Sequence, residues 1–318
     1  MNNFFAWINS GTAAQQNKKR FACYMIAVVA ALLVISLLTL AVIGIVNAVK
    51  KGNNPNEEGT VDPNRGFVTT TFAQNQLHKG DLLIVDELHP YIAEANADVT
   101  TKKFSEGRSK IDDKNIYFAS NQYFDVNADA MDALDKMIVD FYNTAKGKDG
   151  NLYKDSNIYI SNIEYGNTFE FKYYATINGE NGAEATTYAK ISENEKYEWI
   201  FNNAYKYGFV QLYSAPEAST AEGAETAEDM THIFRYVGKV HAQLMKDKKC
   251  ATLADYIELL KSTNFKKTLG ATVDKISYKV YYIPQSETPM IPEKYKDSYT
   301  VSGNNMDGYI VTYSTTNK

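Results

Sequence analysis

"DMTHIFRYVG", residues 229–238, sets two polar side chains, His232 and Arg235, into an apolar and aromatic run that stops at a glycine. A run of this kind is expected to form a short strand, and strand alternation would then turn His232 and Ile233 to opposite faces unless a bulge intervened. Just downstream, "KVHAQL" reads as helix, with His241 in a packing role. Thr252 and Asp255 then bracket a capping box, ahead of a helix that buries Leu253, Tyr256, Ile257 and Leu260 and runs to about Lys261.

Working upstream, "FVQLY" (209–213) reads as a strand, and the preceding "KYEWIFNNAYKYG" as a helix. Ser192 and Glu195 offer that helix a capping box, Tyr197, Ile200, Phe201 and Ala204 share a face, and Gly208 supplies a left-handed stop. Residues 127–150 predict a longer helix, capped by Asn127, buried through Met131, Leu134, Ile138, Phe141 and Ala145, and ended by Gly147 and Gly150. Strands are expected at 157–163 and 168–175. The second alternates Phe169, Phe171 and Tyr173 with Glu170, Lys172 and Tyr174, as a sheet with one wet face would. "GDLLIVDELHPY" (80–91) reads as a short buried strand, and the Ala/Glu/Thr-rich stretch 215–230 as a solvated loop or isolated acidic helix. Beyond Val273, Ile276, Tyr278, Val280 and Tyr282 alternate as a strand, and "YTVSGNNMDGYIVTY" (299–313) as a hairpin. The fold class is α+β.

The 318 residues carry a net charge of -5 with interspersed signs, which argues against nucleic acid as a partner. Tyrosine, at 24 residues, suits half-buried sheet faces. Cys23 and Cys250 make no disulfide framework, and Cys250 reads as an incidental thiol. Residues 21–49 contain no charge and exceed the roughly 20 apolar residues that cross a bilayer as a helix. A single-pass anchor is therefore expected, with 1–20 as a cytoplasmic tail carrying Lys18, Lys19 and Arg20, and 50–66 as a flexible tether. Residues 67–268 and 269–318 would form an extracellular domain and its β-rich extension at the cell membrane. No phosphate-binding glycine loop, Cys-x-x-Cys, His-Glu-x-x-His or Gly-x-Ser-x-Gly occurs. His78 and His89 lack ligand spacing and read as structural or solvated.

"GDLLIVDELHPY", "NNAYKYGFVQLY", "FRYVGKVHA" and "TLADYIELL", in this order, resemble landmarks of the VanY-like zinc D-alanyl-D-alanine carboxypeptidases, and the likeness runs over roughly 67–318. It implies a mixed helix and antiparallel-sheet domain. It also implies a zinc ion held by a His and an Asp of a Ser-x-His-x6-Asp segment and by the His of a Glu-x-x-His segment, whose Glu takes a proton from the attacking water. Aligned on "KIS", the first segment puts Ala183 at the His and Lys190 at the Asp. On "FRYVG", the second puts Ile233 at the His and Met230 at the Glu. The family's carboxylate-binding Tyr-Arg pair falls near Ile163 and Glu164.

The resemblance therefore implies a scaffold without its ligands or base: no metal, no cofactor, no catalysis. A pseudoenzyme is expected, one that binds a peptidoglycan stem peptide or another membrane or cell-surface protein through a vestigial cleft near Glu164, Lys190, His232 and Arg235. The alternative is an active zinc D,D-carboxypeptidase with a non-standard site made from Glu184, Asp229 and His232. Arg235 and Tyr236 match the family's "RY" and read as supports of the sheet.

Overall fold

The computed structural model describes residues 64–153, 157–178, 184–212 and 230–316. The tail 1–20, the apolar run 21–49, nearly all of the tether 50–66, Ala183, Asp229 and most of the acidic stretch 215–230 lie outside them. Among the described residues no helix is long and apolar enough to cross a membrane.

The principal elements are β1 (Tyr117–Ala119), α1 (Ala128–Thr144), β2 (Ile158–Glu164), β3 (Thr168–Asn178), β4 (Glu184–Lys190), α2 (Glu198–Asn203), β5 (Phe209–Gln211), β6 (Ile233–Tyr236), α3 (Lys239–Lys248) and α4 (Leu253–Lys261). They are followed by β7 (Leu269–Val273), β8 (Ile276–Pro284), β9 (Tyr299–Gly303) and β10 (Gly308–Ser314). The main sheet runs β5-β6-β3-β2-β1, antiparallel except for β1 on β2. The long strand β3 is shared along its free edge: its first residues pair with β6 and its later ones with β4. The second sheet is an antiparallel β7-β8-β10-β9.

Period-2 patterning puts Ile158, Ile160, Phe169, Phe171 and Phe234 on one face, against Met131, Leu134, Ile138 and Phe141 of α1. Fully burying each of these side chains stabilises by about 1.5–3 kcal/mol. A second core joins Leu244, Tyr256 and Leu260 of α3 and α4 to Val280, Tyr282 and Ile310, so the C-terminal sheet packs directly on the helices that precede it. Its hairpin turns at Asn304, whose side chain accepts from the amides of Met306, Asp307 and Gly308.

Local signals read from the sequence fare unevenly. The Thr252–Asp255 capping box is formed in both directions, and Gly208 closes its helix at φ +93°. Asn127, by contrast, sits at the α1 N-cap position with no side-chain cap, and also ends a short strand, Asp125–Asn127. The Ser192–Glu195 box does not form. The chain makes 3-10 turns at Ile191–Glu193 and Glu195–Tyr197, Asn194 accepts from Lys196, and the Ser192 hydroxyl is buried without a partner. Residues 80–91 are not a strand. Leu82 and Leu83 are buried, but the Leu82 amide bonds Ser302 Oγ, the Leu83 carbonyl bonds Arg235 and the Ile84 amide bonds the Asn304 carbonyl, so this backbone is satisfied by scattered partners rather than by a ladder.

Candidate functional site

The face of the main sheet opposite α1 holds a cavity of about 250 Å³ whose walls include Glu164, Glu170, Met230, His232 and Ile233. Its position follows from register. Ile233 lies opposite Glu170 and Lys190 opposite Lys172, so both project on the Glu170 face, two residues apart along β3. That separation is about 7 Å. Glu164, at the end of β2, forms the rim and accepts from Asn162 Nδ2 at 3.1 Å.

Glu170 is the polar centre of this face. Its Oε2 accepts from Ser161 Oγ at 2.6 Å, its Oε1 lies 2.9 Å from Lys172 Nζ, and His232 Nε2 stands 3.3 Å from the same oxygen. Burial pushes the Glu170 carboxyl up, but hydrogen bonds from Ser161, Lys172 and His232 outweigh it and hold the pKa below the usual glutamate value. Ser161 reaches Glu170 because the β2–β3 register slips between Ile160 and Asn162; such a bulge re-aims a side chain. Strand alternation alone puts Glu170 on the wet face, and nothing in the composition marks the bulge that gives it Ser161 as a partner.

Alternation would have turned His232 away from Ile233. In the structure His232 precedes β6, in a turn closed by the Ile233 amide on the Met230 carbonyl at 3.0 Å, where alternation does not apply. Its imidazole is 2% exposed, against Glu170, with Nδ1 lacking a hydrogen-bond partner. It is neither a surface histidine nor a fully satisfied one.

Two of the expected cleft residues stand elsewhere. Arg235 is buried, donating from Nε to Thr168 Oγ1 and from Nη1 to the Leu83 carbonyl, both at 2.8 Å, so it fastens residues 80–91 to the sheet instead of lining the cavity. Lys190 shares the face but is not part of the wall. Of the proposed alternative ligands, Asp229 lies outside the described residues and Glu184 begins β4 opposite Asn178, six rungs along β3 from the Lys172–Lys190 pair. The other histidines are structural: His78 bonds Asn305, His89 bonds Asp86, and His241 lies between Tyr256 and Thr312.

A turn next to the site is also held tightly. Tyr165 and Gly166 join β2 to β3 with φ of +55° and +70°, the two positive values of a type I′ hairpin. A left-handed tyrosine costs about 1–2 kcal/mol, offset here by stacking on Tyr91 at 4.6 Å and by the Arg235 guanidinium 5.9 Å from its ring.

No family model matches the chain. A D-alanyl-D-alanine carboxypeptidase of Enterococcus faecium is 37% identical over 123 residues, which is 39% of this chain and 38% of that protein. Over that stretch the chain is similar to a D-alanyl-D-alanine carboxypeptidase. The match spans well under half of the relative's length. In fold, the chain resembles the crystal structure of the vancomycin-resistance D,D-dipeptidase VanXYg, in complex with a D-Ala-D-Ala phosphinate analogue, with a TM-score of 0.51 and 17% identity over 78% of this chain and 99% of that one. The LD-carboxypeptidase LdcB has a TM-score of 0.27 and 17% identity over 42% of this chain and 69% of that one.

The residues on this face do not fit the zinc ion that the resemblance implies. The cavity presents a thioether at Met230, an alkyl chain at Ile233 and a single imidazole at His232; of its two carboxylates, Glu170 already faces the Lys172 ammonium and Glu164 accepts from Asn162 at the rim. A three-ligand zinc site with an open position for water needs more nitrogen or oxygen donors on one centre. Among the described residues, no three His, Cys, Asp or Glu side chains are grouped closely enough to share a metal ion.

Proposed function

We propose that the chain is a membrane-anchored, extracytoplasmic pseudoenzyme of the D-alanyl-D-alanine carboxypeptidase relationship, which binds a peptidoglycan stem peptide without hydrolysing it. One observation carries this reading. The positions aligned with a ligand and with the base, Ile233 and Met230, stand together in one cavity and offer no lone pair suited to zinc or to proton transfer from water. The volume, about 250 Å³, suits a short peptide end. The polar contacts available to it are the imidazole of His232 and the amide of Asn162, while Glu164 at the rim disfavours a terminal carboxylate there. Anchoring rests on the apolar run 21–49, which would hold the domain at the outer face of the membrane.

A second reading is favoured by the orphaned Nδ1 of His232, an unpaired, buried imidazole nitrogen on a residue that lines the same cavity as Glu164 and Glu170. It is an active zinc enzyme with a non-standard ligand set. The test is to dialyse the purified full chain against zinc, measure metal content, and assay both binding of a peptide ending in D-Ala-D-Ala and release of D-alanine from it. Peptide binding without release and without stoichiometric metal is the expected result. Metal-dependent release of D-alanine, abolished by His232→Ala, would establish the second reading in its place.

A further inference from the structure

The domain begins at Asn64 and runs into a three-residue strand, Phe67–Thr69, paired antiparallel with Met290–Pro292, whose Ile291 packs with Tyr281, Ile283 and Val311 of the C-terminal sheet. Two turns stand beside this entry. The Glu293 amide donates to the Gly66 carbonyl at 2.9 Å, which sets Arg65 next to the 3-10 turn Glu293–Tyr295, and the Tyr295 ring stacks on Tyr313 at 4.7 Å. The Phe67 ring meets Phe265 edge to face at 4.8 Å, which brings up residues 264–267, held in a turn by Asn264, whose Oδ1 accepts from the amides of Lys266 and Lys267.

Positive charge collects here, in a chain whose net charge is -5. Arg65, Lys266, Lys267 and Lys296 are exposed, and Lys279 stands opposite Tyr313 in the β8–β10 ladder. Within the described residues none of these cations reaches a carboxylate, whereas Lys239 and Lys261 on neighbouring segments are each paired. Lys294, 5.4 Å from the Tyr295 ring, adds to the same rim. Glu293 and Asp297 are the acids on these turns, so cations remain in excess. Phe265 and Tyr295 are half-buried among them, and the Lys266 ammonium lies 5.2 Å from the Phe265 ring. Half-buried rings interleaved with ammonium groups suit the zone between headgroups and acyl chains, where amphipathic side chains keep their charge in water.

What the rim meets follows from where the chain outside the domain leads. Fourteen residues, 50–63, separate the apolar run from Asn64. At full stretch they reach about 50 Å, roughly one domain diameter. An anchored domain therefore stays next to the bilayer, and a weak surface attraction acts on it at high effective concentration. Lys and Arg clustered beside a membrane anchor are each drawn to anionic headgroups, within a screening length of about 8 Å. We propose that this basic rim docks on a bilayer surface bearing anionic phospholipids, with Arg65, Lys266, Lys267, Lys279 and Lys296 meeting the phosphates while Phe265 and Tyr295 sit at headgroup level. The domain then lies against the membrane instead of hanging from its tether. The inference rests on the anchoring proposed above.

In the experiment the full chain is reconstituted in vesicles of phosphatidylcholine, or of phosphatidylcholine mixed equally with phosphatidylglycerol, and briefly acetylated with a membrane-impermeant reagent; the rate at each lysine is read by mass spectrometry. Lys266, Lys267 and Lys296 should react about threefold more slowly on the anionic vesicles. Lys114 and Lys148, exposed residues of the N-terminal half of the domain, should keep their rates. In about 1 M salt, where the screening length falls to about 3 Å, the difference should vanish. K266E combined with K267E should restore the Lys296 rate without changing the melting temperature, and K266R combined with K267R should leave Lys296 protected. The inference is overturned if rates do not depend on lipid charge, if the slowing survives high salt or the double reversal, or if soluble polyglutamate slows the same lysines more than the anionic vesicles do. Flotation separates the rim from the anchoring it rests on. Chains that float with the anionic vesicles alone keep the rim and remove the anchor; chains that float with both yet show no slowing keep the anchor and remove the rim; chains that float with neither remove both.

Discussion

Replacing Asp81 by asparagine should stabilise the protein at neutral pH, and the size of the effect follows from where the carboxyl sits. Residues 80–91 are clamped onto the sheet by Arg235, and the Asp81 side chain is half-buried there beside Asn167, whose Nδ2 lies 3.4 Å from Oδ1. Burial raises its pKa from the ordinary 3.8 to about 6. The Asn167 hydrogen bond and the Arg235 charge oppose the rise, and Asp129 adds to it. A raised carboxyl pKa means that the folded protein holds this proton more tightly than the unfolded chain. The stability that depends on this group is therefore highest below about pH 4, falls as pH climbs through about 6, and stays low above it. The span from 3.8 to about 6 corresponds to about 3 kcal/mol, a large share of a fold's typical 5–15 kcal/mol. The carboxamide of the variant cannot ionise and can still accept from Asn167, so Asp81→Asn should match the parent near pH 4 and exceed it by up to about 3 kcal/mol near pH 7 in urea unfolding. The quantity to follow is the difference between variant and parent, which cancels every other titrating group. A difference that does not change with pH, or that favours the parent at neutral pH, would refute the assignment of a carboxyl destabilised by desolvation.

His241 should act in the opposite sense. Burial between Tyr256 and Thr312 pulls its pKa from 6.5 to about 4, so its contribution is present above pH 6.5 and is lost as pH falls toward 4; relative to His241→Gln, the parent should lose about 3 kcal/mol over that interval in paired urea titrations. Gly166→Ala should lower stability by at least about 1–2 kcal/mol, read as a drop in melting temperature, because φ is +70° and the added methyl carbon would stand 2.4 Å from Asn127 Oδ1.

Much of the framework was legible because it depends on local rules. The β3 alternation, the α1 stripe, the Thr252 capping box and the C-terminal hairpin each carry their own periodicity or turn chemistry, and each appears where the residues imply. What was not legible depends on distant partners. Residues 80–91 have a strand's composition, yet Arg235, 152 positions along the chain from Leu83, takes that residue's carbonyl out of any ladder. Ser192 and Glu195 have a capping box's spacing, yet Asn194 takes the cap and the segment tightens into 3-10 turns. At the site, the alignment on "KIS" and "FRYVG" led to Ile233, Met230 and Lys190, and the structure sets all three on or beside one sheet face. Glu170 went unassigned because its importance comes from a bulge at Ser161 and a turn at His232, neither of which leaves a pattern in the residues themselves.

β6 and β4 meet end to end along the same margin of β3, with the Ile233–Glu170 and Lys190–Lys172 rungs on either side of the seam. Those rungs are fastened by peptide groups, which are indifferent to what hangs from the α-carbons beside them. Side chains at either lip of this seam can thus be exchanged, even an imidazole for an alkyl group, while the architecture survives unaltered. In proteins built this way, persistence of shape says little about persistence of chemistry, and the lips are where the two part company.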